Sequence, residues 1–154
     1  MLKAEFIARV RKCERSLYRI ARTILRSDAD CEDAVQEALL RAWSRLDLLR
    51  EEQFFETWLT RILINECRTM LRRRPRTDEI PESLPAPEDD SRSIIAALKK
   101  IPEKHRIPLE LHCIEGYSVR EVAAILRLPE GTVKWRLSRG RALMAGELGE
   151  EALK

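Results

Sequence analysis

A chain of 154 residues is long enough for one ordinary domain or for two small ones. Aromatic residues make up 5% of it and charged residues 36%, so any hydrophobic core must be small and aliphatic. Five glycines and almost no alternating β-branched runs favour an all-helical protein. No apolar run approaches the roughly 20 residues that span a bilayer, and no signal peptide is evident, so we expect a cytoplasmic protein without membrane insertion.

The net charge of +3 is modest, but the charges are strongly segregated along the chain. Lys3 to Arg26 and Arg61 to Arg76 are mostly basic, whereas Asp28 to Glu56 and Asp78 to Asp90 are mostly acidic. Blocks of this kind imply different partners for different surfaces.

The cysteines and histidines do not suggest a metal site or a cofactor. The four cysteines (Cys13, Cys31, Cys67 and Cys113) stand far apart without a CxxC pair, and His105 and His112 are the only histidines. We therefore expect buried free thiols, with His112 as a surface imidazole beside Cys113. No nucleophile–base pair, carboxylate dyad or phosphate-binding glycine loop is present, so we expect no catalytic residues and no enzymatic activity.

The first part of the chain predicts helices with distinct polar faces. Between Phe6 and Leu25, apolar residues recur at three- and four-residue intervals, which predicts one or two helices with an arginine-rich outer face. Ser27 and Asp28 predict a helix end followed by a new N-cap.

The next predicted helix, over about 29–49, separates an apolar stripe from an acidic face. The stripe consists of Val35, Leu39, Ala42, Trp43 and Leu46. The acidic face consists of Asp33, Gln36, Glu37 and Leu40, which are neighbours on a helix. Charge alone favours a solvated face here, and a docking surface for a basic helix is the alternative.

After a segment over 48–56 that we expect to contain a loop, a third helix carries a basic stripe. Asn65, Arg68 and Arg72 fall within ~40° of Arg61, and the far side holds Leu59, Ile62, Leu63, Cys67 and Met70. Arginine neutralises phosphates and an amide can read a base edge, so this stripe indicates nucleic-acid recognition. Trp58 lies at the border of the two faces as either a core aromatic or a wedge against an unstacked base pair.

Residues 77–92 predict a Pro-rich acidic linker between two helical domains, 1–76 and 93–154. Pro81, Pro85 and Pro87 interrupt any helix there, and acidic side chains dominate. The negative charge could also imitate nucleic acid in a basic channel, although an ordinary linker is the favoured interpretation.

The second domain should contain two helices before a final helical pair. Ile94, Ile95, Leu98 and Ile101 form the first apolar stripe, and Leu109, Leu111, Cys113 and Ile114 form the second. Gly116 is expected just after the second of these helices, and Pro108 in its first turn or at a kink.

The final pair has the pattern of a helix-turn-helix. Ser118 and Glu121 form a capping box for the first helix. The second helix spans Thr132 to Met144. Its apolar side carries Val133, Leu137, Gly140 and Met144. Its polar side carries Trp135, Ser138, Arg139 and Ala142, and Lys134 and Arg136 flank that side. Such a helix can pack on a partner and present donors to a DNA major groove, although a solvated amphipathic hairpin has the same pattern.

Several ordered motifs together resemble bacterial sigma factors of the extracytoplasmic-function (ECF) group, group 4 of the sigma-70 family. LYRIARTIL (17–25), DAVQEALLRAW (33–43) and TWLTRILINECRTMLRR (57–73) resemble region 2, and LPEGTVKWRLSRGRALM (128–144) resembles region 4. The resemblance covers nearly the whole chain apart from the linker. It implies a factor that binds core RNA polymerase, directs it to promoters and promotes opening of the −10 element.

The resemblance also implies residue roles. The acidic face would dock on the clamp helices of the polymerase β′ subunit, and the second domain would contact the β subunit. The −10 element would be engaged by Trp58, Arg61, Asn65, Arg68 and Arg72, and the loop around 48–55 would hold a flipped base. The −35 element would be contacted by Thr132, Lys134, Trp135, Arg136, Ser138, Arg139 and Arg141.

Two residues depart from the family pattern. Arg127 stands where many relatives have Gly at the turn, so either the turn differs or a non-glycine residue adopts positive φ at a cost of ~1 kcal/mol. Trp135 stands where relatives commonly carry Ser, so no −35 sequence is predicted.

The resemblance further implies an anti-sigma partner, possible tethering at the membrane through that partner, and association with the nucleoid. A helix-turn-helix repressor or activator that binds duplex DNA alone is the main alternative function. An adaptor regulated by protein contacts is a third.

Overall fold

The computed structural model describes residues 1–73 and 90–152, with side chains described over 1–73 and 94–148. The described residues are helical and contain no strand, which confirms the all-α prediction. The α-helices are α1 (Lys3–Ile24), α2 (Asp28–Ser44), α3 (Phe55–Arg73), α4 (Asp90–Lys99), α5 (Glu103–Leu109), α6 (Val119–Leu126) and α7 (Glu130–Ala152). The chain divides into two compact units, Met1–Glu79 and Ile80–Lys154.

The predicted linker over 77–92 lies outside the described residues up to position 89. The helix α4 begins at Asp90, inside the last part of that predicted segment.

In the first unit, α1, α2 and α3 pack against one another in all three pairs. The α1 segment is a single helix of 22 residues, and Leu17, Ile20 and Ala21 on its inner face are almost completely buried. Ser27 caps α2 by accepting a hydrogen bond from the backbone N–H of Asp30 at 3.1 Å. The N-cap therefore lies within the predicted pair, and the helix begins at Asp28, one residue earlier than expected.

The buried face of α2 is built from smaller residues than the sequence suggested. Cys31, Ala34, Val35, Ala38 and Ala42 are buried. The expected stripe was wrong at three of its positions: Leu39 and Leu46 are half-buried and the Trp43 side chain is 43% exposed. Alanines let the helix axis approach its neighbours closely, so the buried face is rotated away from the larger side chains. The helix also ends at Ser44, and a 3₁₀ turn (Leu46–Leu48) follows it.

An aromatic cluster links the three helices. The ring of Phe6 makes edge contacts with Trp43, at a centroid distance of 5.1 Å, and with Phe55, at 5.6 Å. The guanidinium of Arg9 lies 4.8 Å from the centroid of the Phe55 ring and pairs with Glu56 at 3.2 Å.

In the second unit, α4, α5 and α6 each pack on α7. Leu98, Ile107, Leu111, Val122 and Leu137 are among its most deeply buried side chains.

The segment after α5 differs from the predicted single helix. Pro108 lies inside α5, and a π turn over Glu110–Ile114 follows, in which the N–H of Glu115 donates to the carbonyl of Glu110 at 3.0 Å. The wider turn shifts the register, so Ile114 is 40% exposed and Cys113 is exposed rather than in the core. Gly116 has φ +84°, the left-handed conformation expected of a residue just past a helix.

Gly140 allows α5 and α7 to approach closely. A Cβ added there would lie 2.9 Å from Cδ1 of Leu109 and 3.3 Å from the carbonyl oxygen of His105. At Gly146, on the same helix, an added Cβ would meet nothing within 4 Å.

We predict that Gly140→Ala lowers the free energy of unfolding by about 1–2 kcal/mol, because overpacking against α5 outweighs the gain in helix propensity. Gly146→Ala is the matched control and should raise it, by up to about 1 kcal/mol. Urea denaturation of the full chain measures both, and equal effects of the two substitutions would contradict the close approach at Gly140.

Candidate functional site

The acidic face of α2 is an exposed surface in the structure. Asp33, Gln36 and Glu37 are exposed, and the side chain of Leu40 is 65% exposed. A carboxylate oxygen of Glu37 lies 3.4 Å from Nε of Arg41, which also pairs with Glu66 on α3. Arg41 therefore offsets part of the negative charge at one end of the face. The pairing of Arg41 with Glu37 was not predicted from the sequence, although a spacing of four residues on a helix is typical of such an ion pair.

Large apolar side chains are exposed at the C-terminal end of α2 and in the turns that follow it. Leu40 at 65% exposure and Trp43 at 43% are three residues apart on the helix. Leu48 and Phe54, in the two 3₁₀ turns that follow α2 (Leu46–Leu48 and Glu52–Phe54), are 65% and 52% exposed. Exposed large apolar residues beside a polar rim are characteristic of protein-binding surfaces rather than of solvated faces.

The basic stripe of α3 lies on the side of the helix away from the core. Asn65 and Arg72 are exposed, and Arg61 and Arg68 are half-buried. A guanidinium nitrogen of Arg72 donates to Oγ1 of Thr69 at 3.3 Å, which holds that side chain along the helix.

The buried face of α3 agrees with the prediction for three of its five residues. Leu59, Leu63 and Cys67 are buried. Ile62 and Met70 are only half-buried, and Thr60 and Ile64 take part in the core in their place. Trp58 is half-buried, with its ring centroid 6.2 Å from that of Phe55, so one side of the indole borders the aromatic cluster while part of it stays accessible.

The helix-turn-helix of the second unit has the predicted capping. Oγ of Ser118 accepts from the N–H of Glu121 at 3.1 Å, and the Glu121 carboxylate accepts from the N–H of Ser118 at 2.9 Å. Arg127 ends α6 with φ 56° and ψ 49°. Of the two alternatives for this position, the structure confirms a non-glycine residue with positive φ. The N–H of Val133 donates to the carbonyl of Pro129 at 3.1 Å, so Pro129 opens α7.

The outward face of α7 carries the residues expected there. Lys134, Ser138, Arg139 and Arg141 are exposed, the Trp135 side chain is 59% exposed, and Thr132 and Arg136 are half-buried. Val133, Leu137 and Gly140 are buried on the opposite face.

The side chain of a buried histidine, His105, contacts α7 on its inner side. Nδ1 of His105 lies 3.2 Å from the carbonyl oxygen of Arg136, and the imidazole centroid lies 5.6 Å from the Trp135 ring. The sequence offered no sign of this contact, because His105 and Trp135 are far apart in the chain.

The thiols and the other histidine depart in part from expectation. Cys31 and Cys67 are buried, Cys13 is intermediate and Cys113 is exposed. His112 is half-buried, with Nδ1 2.7 Å from the carbonyl oxygen of Tyr117. Desolvation raises the pKa of Cys67 to about 12 and that of Cys13 to about 11, so both stay protonated at neutral pH.

Among the residues that the structure describes, no group of three or more His, Cys, Asp or Glu side chains could hold a metal ion. Over the same part of the chain, no helix combines the length and the apolar character needed to cross a bilayer.

Comparison with known proteins matches both units. The model of Sigma-70 region 2 matches residues 9–77, and that of Sigma-70, region 4, matches residues 91–144. The ECF RNA polymerase sigma factor SigM of Mycobacterium tuberculosis is 34% identical over 146 residues, which cover 90% of this chain and 74% of SigM. The ECF RNA polymerase sigma-E factor of Escherichia coli K12 is 34% identical over 134 residues, which cover 73% of this chain and 70% of that factor.

Two solved structures have the same fold. Sigma factor RpoE of Bartonella quintana, crystallised with the anti-sigma factor NepR, matches with a TM-score of 0.79 at 24% identity over 94% of this chain and 96% of RpoE. CnrH in complex with the cytosolic domain of CnrY matches with a TM-score of 0.76 at 28% identity over 96% of this chain and 89% of CnrH.

The chain belongs to the ECF sigma factors of the sigma-70 family. It is an RNA polymerase sigma initiation factor, a class of protein that is not generally enzymatic. Membership disfavours the alternative of a repressor or activator that binds duplex DNA alone.

We predict that Arg127→Gly raises the free energy of unfolding by about 1 kcal/mol, because glycine removes the Cβ that is strained in the left-handed conformation. Arg127→Ala keeps the Cβ and should leave stability nearly unchanged. Thermal unfolding of the full chain distinguishes the two, and a gain with Ala as large as that with Gly would contradict the role of backbone strain.

Proposed function

We propose that this sigma factor docks on core RNA polymerase through Asp33, Gln36, Glu37 and Leu40, with the β′ clamp helices as the docking partner. The exposure of Leu40 beside the carboxylates is the observation that carries this proposal. One exposed leucine is ordinary on a solvated face, but Leu40 is followed by the exposed Trp43, Leu48 and Phe54. A docking face needs such an apolar centre with a charged rim. Carboxylates that pair with basic side chains of a partner would also set the orientation of docking.

The stripe of α3 is proposed to engage the −10 element after the strands separate. Arg61, Arg68 and Arg72 supply guanidinium groups that neutralise phosphates, and the exposed amide of Asn65 between them can pair with a base edge. Separation of a base pair requires a few kcal/mol, which contacts available only to an unpaired base can offset. Trp58, anchored on Phe55 at one side, would supply an accessible aromatic surface next to this stripe.

The outward face of α7 is proposed to contact the −35 element as duplex. Lys134, Arg139 and Arg141 are exposed cations suited to phosphates, and Thr132, Arg136 and Ser138 add donors near them. Trp135 contributes an indole with one N–H donor and a large apolar area, which suits contact with a thymine methyl group better than bidentate pairing.

The proposed domain boundaries are 1–76 for the region 2 domain, 77–92 for a linker and 93–154 for the region 4 domain, which would also contact the polymerase β subunit. The relatives RpoE and CnrH are each bound by a partner, the anti-sigma factor NepR and the cytosolic domain of CnrY. By analogy we propose an anti-sigma factor that covers the docking surfaces here, and that holds the factor at the membrane when the partner is itself anchored there. The released factor would act in the cytoplasm at the nucleoid, without catalytic activity of its own.

The docking proposal is tested by the double substitution Asp33→Lys and Glu37→Lys. We expect binding to core polymerase to be lost, because two attractive contacts become repulsive, while the fold is kept. Glu5→Lys with Glu147→Lys is the matched control, since it changes the net charge equally at exposed positions of α1 and α7. Affinity for core polymerase is measured by fluorescence anisotropy, and an unchanged affinity in the α2 variant would remove this assignment.

The −10 proposal predicts that Asn65→Ala impairs promoter opening more than initial duplex capture, because the amide meets a base only after unpairing. A loss of about 1–3 kcal/mol is expected for a base-reading amide, about 5- to 150-fold in the opening equilibrium. Permanganate reactivity of unpaired thymines measures opening, and filter binding of closed complexes measures capture. Equal losses in both assays would count against base recognition.

A further inference from the structure

The outer face of α1 carries four exposed arginines that none of the surfaces described above uses. They are Arg11, Arg15, Arg19 and Arg22. At ~100° per residue they fall within an arc of about 80°, and no other residue between Arg11 and Arg22 shares that arc. Leu17 and Ile20 lie on the opposite, buried side of the helix. The arginines therefore form one stripe about 16 Å long on the side farthest from the core.

The stripe has a single sign of charge. Arg22 pairs with Asp28, across the connection to α2, at 3.4 Å, with both side chains about half exposed. Arg11 and Arg15 form no ion pair with any residue that the structure describes. Like charges three or four residues apart destabilise a helix, whereas alternating signs, as in the Glu37–Arg41 pair of α2, stabilise it. A solvated face gains nothing from this arrangement, so an external polyanion is the simplest reason for it.

The middle of the stripe borders a shallow depression. It has a volume of about 370 Å³ and is lined by Glu14, Arg15, Tyr18, Arg19 and Arg22. Three arginines of the stripe thus line one concave site, with Glu14 as the single acidic member. The pKa of Tyr18 is raised by desolvation and by the nearby Glu32 and Glu14, so its hydroxyl stays protonated and can donate a hydrogen bond.

We propose that this arginine stripe of α1 binds the phosphodiester backbone of duplex DNA, as a sequence-independent contact separate from the α3 and α7 surfaces. The planar guanidinium group pairs with phosphate oxygens in a two-pronged geometry that lysine lacks. Duplex DNA carries one negative charge per ~1.7 Å of its axis. A linear stripe of arginines about 16 Å long can therefore lie close to several phosphates at once.

An acidic protein surface fits the stripe less well. The core of a protein–protein interface is depleted in charge and enriched in apolar and aromatic side chains, and the arc of the stripe contains none between Arg11 and Arg22. The contact with DNA would fix the orientation of the first unit on the duplex without reading its sequence.

The proposal is tested with the free full-length chain and a duplex without promoter sequence, because backbone contacts need neither polymerase nor a consensus. The variant carries Arg11→Gln, Arg15→Gln and Arg19→Gln. A control of equal charge change carries Lys3→Gln, Lys99→Gln and Lys104→Gln, three exposed lysines off the stripe. Fluorescence anisotropy is measured between 50 and 200 mM salt, and thermal unfolding checks that both variants fold.

We expect the slope of log K against log salt concentration to fall by about 2.7 in the arginine variant, from the loss of three phosphate contacts at about 0.9 each, and by less than 1 in the control. A variant with Lys at the same three positions should keep most of the slope, since the charge remains.

Equal slopes in the arginine variant and the control would overturn the proposal, as would a lysine variant that behaves like the glutamine one. An unchanged slope combined with weaker binding of the glutamine variant to core polymerase would assign the stripe to an acidic protein surface instead. Because the salt titration omits polymerase and promoter, the slope it measures is independent of the docking and −10 proposals.

Discussion

Burial of a few large aliphatic side chains orients α1 and α3 of the first unit. Leu17, Ile20, Leu59 and Leu63 are each 1% exposed or less, and full burial of such a side chain contributes about 1.5–3 kcal/mol. A one-residue slip of α3 would turn the helix by ~100°, expose these leucines and drive arginine inward. The outward positions of Asn65 and Arg72 are thus set by the inward positions of Leu63 and Cys67. Packing of the core therefore determines which side chains α3 presents at the surface.

The second unit depends more on the backbone. The reciprocal bonds of Ser118 and Glu121 begin α6, and Arg127 ends it in the left-handed conformation. The missing side chain of Gly140 lets α7 lie against α5, where the imidazole of His105 contacts the carbonyl of Arg136. The first two features fix the ends of α6, which packs on α7, and the last two lie at the contact between α5 and α7. The face of α7 that carries Trp135 is therefore positioned by backbone geometry and by the packing of α5 and α6 on α7.

Sequence patterns predicted the helices well where large apolar residues follow the helical period. The capping box is confirmed, and on the apolar side of α7 Val133, Leu137 and Gly140 are buried while Met144 is half-buried. In α3 only Ile62 and Met70 were placed too deep. The patterns failed where alanines form the buried face of α2 and where the π turn after Pro108 shifts the register. Contacts between distant residues, such as Arg41 with Glu66, leave no local signal. The role of the acidic face came from resemblance, because charge alone favoured solvation.

The segregation of charge couples the surfaces to one another. The net charge of +3 is the small difference between 29 basic and 26 acidic side chains, so the free chain attracts DNA only weakly at long range. If Asp33 and Glu37 pair with cations of the polymerase, their field no longer opposes that of the basic helices α1 and α3 in the same unit. Docking would then increase the affinity for DNA through charge alone, without a conformational change in α1 or α3. By thermodynamic linkage, DNA would tighten docking by the same factor, so one charge arrangement serves both recruitment and retention.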